Sequence, residues 1–217
     1  MTLTLIIGNK NYSSWSLRPW LAMKQANIEF TEKLIPLLDQ DWAGEIAKHS
    51  PSLKVPVLKD GGLTVWDSLA ILEYLAEKFP GAGLWPSAAE ARAQARAVAA
   101  EMHSGFSELR SHMPMNIRKQ LPGKGRKGGV DKDIERVTAI WRDCRRRFGE
   151  GGDFLFGGFT CADAMFAPVA SRFRTYAVEL DDVCRPYAEA VLALPAFAEW
   201  AGGAELEPWT IAAYEVE

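Results

Sequence analysis

Cysteine and histidine are scarce in this chain, three of each among 217 residues. Cys144, Cys161 and Cys184 are odd in number, far apart and in no C-x-x-C arrangement, which argues against a disulfide framework or a zinc site. They are expected as buried, reduced thiols. His49, His103 and His112 lack metal-ligand spacing, so no metal is assigned. No stretch approaches the roughly 18 apolar residues of a membrane-spanning helix, and MTLTLIIGNKNYSS has neither a basic leader region nor a small-residue cleavage site. Charge of one sign is not in excess either. A net charge of -3 gives no general attraction to nucleic acid or to an anionic membrane, so neither is expected as a partner. The expectation is a cytoplasmic globular protein.

What the chain does have is 48% hydrophobic residues, enough for substantial cores. The β-branched run TLTLII, residues 2–7, stops at Gly8-Asn9 and predicts a buried strand. A helix follows to Ala26, and Pro19 pulls its first turn close to Ser14–Ser16, with a serine as cap. Extended stretches are expected around Glu29–Ile35, at KVPVL (54–58) and after Gly61-Gly62, and SLAILEYLAEKF has helical periodicity up to Pro80-Gly81. Beyond GAGLWP the composition becomes alanine-rich, and Ser87 with Glu90 reads as a capping box. Helices are expected over 88–110, 131–148, 161–178 and 182–201, with 114–130 as a solvated basic loop. The division is therefore an α/β unit, 1–81, followed by an all-helical unit, 87–217.

Two places suggest a binding chemistry. The residue before a proline is held extended and X-Pro tolerates a cis bond, so Val55-Pro56 could leave the Val55 backbone free to pair with a peptide-like ligand. At Asp67-Ser68 a helix begins; Ser68 would favour an anion there, and Asp67 could bind an ammonium group beside it. A carboxylate beside an ammonium is an amino-acid head group. Plain helix capping by Asp67 is the simpler alternative.

KVPVL followed by TVWDSLAILEYLAEKFP resembles the glutathione-binding half of the cytosolic glutathione transferases, and FLFGGFTCADAMFAP, 154–168, is similar to that family's capping-box segment, with Thr160 as cap and Asp163 three residues on. The resemblance implies a thioredoxin-like domain, an all-helical domain and a homodimer. It implies that Val55 pairs with the cysteinyl part of glutathione, that Asp67 and Ser68 hold the γ-glutamyl end, and that Lys54 meets the glycyl carboxylate.

NYSSWS is similar to the serine-type segment of the zeta class, which includes maleylacetoacetate isomerases. On that likeness Ser13 falls at the catalytic serine and Ser14 beside it, with Ser16 as cap or first-turn residue and Tyr12 as a weaker sulfur ligand. Trp15 stands where the class has cysteine, which argues against glutaredoxin-like chemistry. A free thiol has a pKa of about 8.5; lowering it by about 2 needs about 2.7 kcal/mol of preference for the anion. One hydrogen bond to a charged group contributes about 1.5–3 kcal/mol, so a serine hydroxyl at a helix N-terminus suffices without a base. The implied activity is addition of the glutathione thiolate to a small hydrophobic electrophile. A glutathione-dependent isomerase or peroxidase, or a non-catalytic module on the same scaffold, are the alternatives. Met102, His103, Phe106, Met113 and Trp209 are candidates for the electrophile's pocket, with core packing as their simpler role.

Overall fold

The computed structural model describes residues 2–37 and 41–216. A four-stranded mixed sheet in the order β2-β1-β3-β4 forms the first half, from β1 (Leu3–Ile7), β2 (Phe30–Leu34), β3 (Val57–Asp60) and β4 (Leu63–Trp66). β1 runs parallel to β2 and antiparallel to β3, and β3 and β4 form a hairpin. The parallel pair is joined through helix α1 (Ser14–Gln25), as a parallel connection requires. Side-chain alternation in β1 decides which layer each residue feeds. Leu3, Leu5 and Ile7 join the large core beneath α1 and α3 (Ser68–Lys78), whereas Ile6 packs with Ile35, Ile46 and Val57 on the face covered by α2 (Trp42–Ala47). Both faces of the central strand are thereby buried, which is why TLTLII reads as a nearly unbroken apolar run.

The second half is helical: α4 (Ala89–Ser104), α5 (Ser107–His112), α6 (Val130–Phe148), α7 (Cys161–Thr175), α8 (Cys184–Leu192) and α9 (Pro195–Glu205). Helix α7 is almost wholly buried and packs against both α1 and α4, so it joins the two halves. Its start is the expected capping box: Ala162 N donates to Thr160 Oγ1 (3.3 Å), while Asp163 Oδ2 accepts from Thr160 N (2.8 Å). Asp163 Oδ1 also accepts from Leu155 N at 3.0 Å, tying the preceding loop to the helix. Burial pushes the Asp163 carboxyl up to about 6, against the opposing pull of the Leu155 and Thr160 hydrogen bonds.

Several boundaries differ from expectation. The helix expected over 88–110 breaks at Gly105-Phe106, where Phe106 adopts φ +61° and the glycine lies close against the Glu101 carbonyl. The one expected over 182–201 is two helices, because Pro195 opens α9 instead of continuing α8. Ser87 does not cap α4. The helix begins at Ala89 after an Ala88 cap that makes no side-chain bond, Arg92 donates to the Ser87 carbonyl, and Glu90 pairs with Arg147 at 3.3 Å.

The basic loop is packed rather than freely solvated over its first part. Residues 113–117 are buried, and Arg118 donates to the carbonyls of Glu207 and Trp209 and to the Tyr12 hydroxyl. Lys124, Arg126 and Lys127 are exposed as expected. All three cysteines are buried and unpaired, and burial raises each thiol, Cys144 and Cys184 to about 12.

Candidate active site

The serine segment between β1 and α1 is resolved into distinct jobs. Helix α1 starts at Ser14, two residues earlier than a start at Ser16, and Ser13 is the cap, its Oγ accepting from Ser16 N at 3.3 Å. Pro19 therefore lies in the second turn instead of the first, and the Trp15 carbonyl loses its i+4 donor. Ser13 directs its own hydroxyl proton to Ser16 Oγ (2.7 Å), and Ser16 Oγ also accepts from Gly8 N (3.1 Å), locking the end of β1 to the helix. Ser14 Oγ accepts from Arg172 Nη2 at 3.4 Å, and among the described residues its own proton has no acceptor. Tyr12 is fully engaged: its hydroxyl donates to Glu215 Oε1 (2.7 Å) and accepts from Arg118 and Ile211.

Two clefts meet at this point. One, with a volume of about 300 Å³, is lined on one side by Ser13, Ser14 and Trp15 and on the other by Arg110, Arg172 and Tyr214. The other, about 510 Å³, is lined by Pro56, Trp66, Asp67, Ser68 and His103. Trp15, Lys54 and Val55 line both. The residues expected to hold glutathione, Ser13, Ser14, Lys54, Val55, Asp67 and Ser68, thus line two adjoining clefts.

In the larger cleft, Val55-Pro56 is cis, and Val55 lies just ahead of the β3 ladder, which begins at Val57. Asp67 caps α3: its Oδ1 accepts from Leu69 N (2.9 Å) and Ala70 N (3.3 Å). Its Oδ2 is 2.7 Å from His103 Nε2 on α4. Asp67 adopts φ +75°, a left-handed conformation that a non-glycine residue keeps only when its surroundings enforce it. Ser68 is fully buried and accepts from Arg18 Nη1 at 3.4 Å. Lys54 is exposed at the rim.

The sequence did not single out the arginines around Trp15. The Arg18 and Arg110 guanidinium carbons lie 4.2 and 4.7 Å from the Trp15 ring centroid. Burial, and then Arg110 and Arg172, pull Arg18 well below its ordinary value, with Asp67 opposing. Arg172 is pulled to about 10, by burial first and by Arg110 second. One signal was present: CADAMFAPVASRFRT is apolar over most of its length, and of its two arginines, Arg172 and Arg174, only Arg174 reaches solvent. Of the residues expected to line the electrophile's pocket, Met102, Phe106 and Met113 belong to the core. His103 faces Asp67, and Trp209 contributes its carbonyl to Arg118. Among the described residues no three His, Cys, Asp or Glu side chains gather as a metal site, and no helix is long and apolar enough to cross a membrane.

Residues 12–78 match the family of glutathione S-transferase N-terminal domains, and residues 88–202 match the corresponding C-terminal domains. The chain is similar to maleylacetoacetate isomerase of Rattus norvegicus, 29% identical over 195 residues that cover 85% of each chain. It is 31% identical over 128 residues to a probable maleylacetoacetate isomerase of Caenorhabditis elegans, spanning 58% of this chain and 59% of that protein. Among solved structures, a glutathione transferase homologue from Burkholderia with bound glutathione superposes with a TM-score of 0.71 at 21% identity, covering 94% of this chain and 99% of the other.

Proposed function

Because this chain belongs to the glutathione S-transferase family, we propose that it is an enzyme acting through the thiolate of glutathione on a small electrophile. The isomerase type of reaction that its relatives' names carry is favoured over conjugation. The observation that carries the proposal is Ser14 at the start of α1, a hydroxyl with a free proton on the wall of a cleft that it shares with Val55.

The residues fit the tripeptide. Val55 offers backbone for strand-like pairing with the cysteinyl part. Ser68, at the N-terminus of α3, favours the γ-glutamyl carboxylate, and Asp67 favours the ammonium group beside it. Lys54 at the rim suits the glycyl carboxylate. When bound, glutathione supplies a nucleophilic thiolate: at a carbon bearing a leaving group its sulfur forms the C–S bond as that group departs with its bonding pair, giving a conjugate. At an enone carbon it adds as the C=C π pair moves onto the carbonyl oxygen; rotation follows about the resulting single bond, and return of the pair expels the thiolate, giving an isomer.

Ser14 donates its hydroxyl proton toward the sulfur position, and the α1 dipole adds to the preference for an anion there. Ser13 holds the helix start in place. Trp15 carries no thiol, so mixed-disulfide chemistry has no partner at this position. A homodimer belongs to the same reading, and Leu53 and Trp66, 55% and 45% exposed, supply apolar surface for it.

Calorimetric titration with glutathione, followed by incubation with a cis-enone and counting of free thiols, tests the proposal. Binding with cis-to-trans conversion and no net thiol loss is the expected result. Stoichiometric thiol loss would favour conjugation, and absence of glutathione binding would sink the reading.

A further inference from the structure

The loop that leads into α1 is held from outside its own half. Glu207, buried just beyond the end of α9, accepts from two successive amides of that loop, one with each carboxylate oxygen: Lys10 N at 2.6 Å and Asn11 N at 3.1 Å. The helical half also takes the carbonyls of the same two residues. Trp200 Nε1 donates to Lys10 O at 2.8 Å, and Ile117 N donates to Asn11 O at 3.3 Å. Arg118 ties the tail to the same place through the Glu207 and Trp209 carbonyls, 2.7 and 2.8 Å away, and the Tyr12 hydroxyl. Burial pushes the Glu207 carboxyl up, and the Asn11 and Lys10 amides oppose it. A carboxylate is kept out of water only where such partners offset its desolvation.

Little slack separates this anchor from Ser14. Tyr12 N and Ser13 N both donate to Asn9 O, and Ser14 N donates to Tyr12 O, so the turn is one hydrogen-bonded unit with Lys10 and Asn11 inside it. Glu207 lines neither cleft. Its leverage on chemistry is geometric: a misplacement of about 1 Å at a reacting group costs on the order of 100-fold in rate, even when its cause is remote.

We propose that Glu207 is a positioning residue: through the Lys10 and Asn11 amides it holds the serine loop so that the Ser14 hydroxyl meets the glutathione sulfur. This rests on the glutathione reading above, in which Ser14 stabilises the thiolate. The sign of one effect separates position from charge. A carboxylate acting through space disfavours a nearby thiolate, so neutralising it would lower the thiol pKa. Loss of an anchor that aims Ser14 raises that pKa instead.

Two variants test this. Glu207→Gln keeps the reach but sets an NH2 group against one of the two amides, and Glu207→Asp keeps the charge but is one methylene too short to hold both. Each should raise the thiol pKa of bound glutathione by about 1 and lower kcat for cis-enone conversion about 10- to 100-fold. S-methylglutathione should bind both within about 3-fold of wild type by calorimetry, a difference of about 0.5 in log Kd or less. Amide hydrogen exchange should quicken at Lys10 and Asn11 and also at Ser13 and Ser16. A lowered thiol pKa in Glu207→Gln beside an unchanged one in Glu207→Asp would overturn the proposal by assigning the effect to charge. Unchanged pKa and kcat in folded variants of reduced stability would overturn it too, leaving Glu207 an anchor of the tail only. If neither variant folds, exchange in the wild type decides: Lys10 and Asn11 should be protected to the same degree as Ser13 and Ser16, and rapid exchange at the first pair alone would overturn the proposal. If wild type binds no S-methylglutathione, the glutathione reading fails and the catalytic role of Glu207 falls with it, while the exchange comparison still reports whether Glu207 orders the loop.

Discussion

Asp67 Oδ2 and His103 Nε2 meet at 2.7 Å across the junction of the two halves, while the other oxygen of Asp67 caps α3. One carboxylate therefore serves a helix end, an interdomain contact and the wall of the larger cleft. Asn is as good a cap as Asp but carries no charge. Asp67→Asn is expected to change stability by only a few tenths of a kcal/mol and to weaken glutathione binding about 10-fold, a loss of the order of one charged hydrogen bond. Thermal unfolding and calorimetry, run on the same sample, separate the two roles. Full affinity in Asp67→Asn would reduce Asp67 to a cap.

Ser13 is the complementary case. Its side chain accepts from Ser16 N and donates to Ser16 Oγ, so Ser13→Ala should cost about 1 kcal/mol in chemical denaturation. The thiol pKa of bound glutathione should move little in this variant. A large rise in that pKa with unchanged stability would transfer the catalytic role from Ser14 to Ser13.

Asp163 makes a prediction about pH. Its carboxyl lies at about 6 in the folded protein, above its ordinary 3.8, so the folded state binds the proton more tightly than the unfolded chain. The stabilisation is present below the unfolded value and is lost as pH rises through about 6. Relative to Asp163→Asn, which does not titrate, the wild type should lose on the order of 2–3 kcal/mol between about pH 4 and about pH 7. Urea denaturation at several pH values measures this, and a flat difference between the two proteins would contradict it.

Asp163→Ala should be more damaging than Asp163→Asn at any pH. It leaves the amides of Leu155 and Thr160 without their acceptor inside the core, and a loss of about 2–4 kcal/mol is expected by the same denaturation measurement.

Much of this architecture was legible because each signal is local. The apolar run at β1, the turn at Gly61-Gly62, the Val55-Pro56 step and the Thr160–Asp163 spacing each depend on a few adjacent residues, and the structure holds them in those roles. The misses have both distant and local causes. Ser87 reads as a cap, but the helix takes Ala88 in that place, and Arg147, 57 residues beyond Glu90, occupies the Glu90 carboxylate. Helical periodicity could not report the breaks at Phe106 and Pro195, since apolar spacing continues across both.

The site was legible in outline and not in detail. Ser13, Ser14, Lys54, Val55, Asp67 and Ser68 do converge on two adjoining clefts. Which serine has a free proton depends on Ser16 Oγ and on Arg172, 158 residues away from Ser14. Arg110 and Arg172 escaped notice because an arginine on a helix is ordinarily a solvated charge.

The central claim is that Ser14 stabilises a thiolate. Titrating the ultraviolet absorbance of glutathione thiolate on wild type and on Ser14→Ala, across pH and with free glutathione as reference, tests it most directly. The account predicts a bound thiol pKa about 2 below the free value of about 8.5 in the wild type and a rise of about 1–2 in Ser14→Ala, with glutathione still bound. A wild-type pKa equal to that of free glutathione, or a Ser14→Ala profile that superposes on a lowered wild-type one, would contradict it.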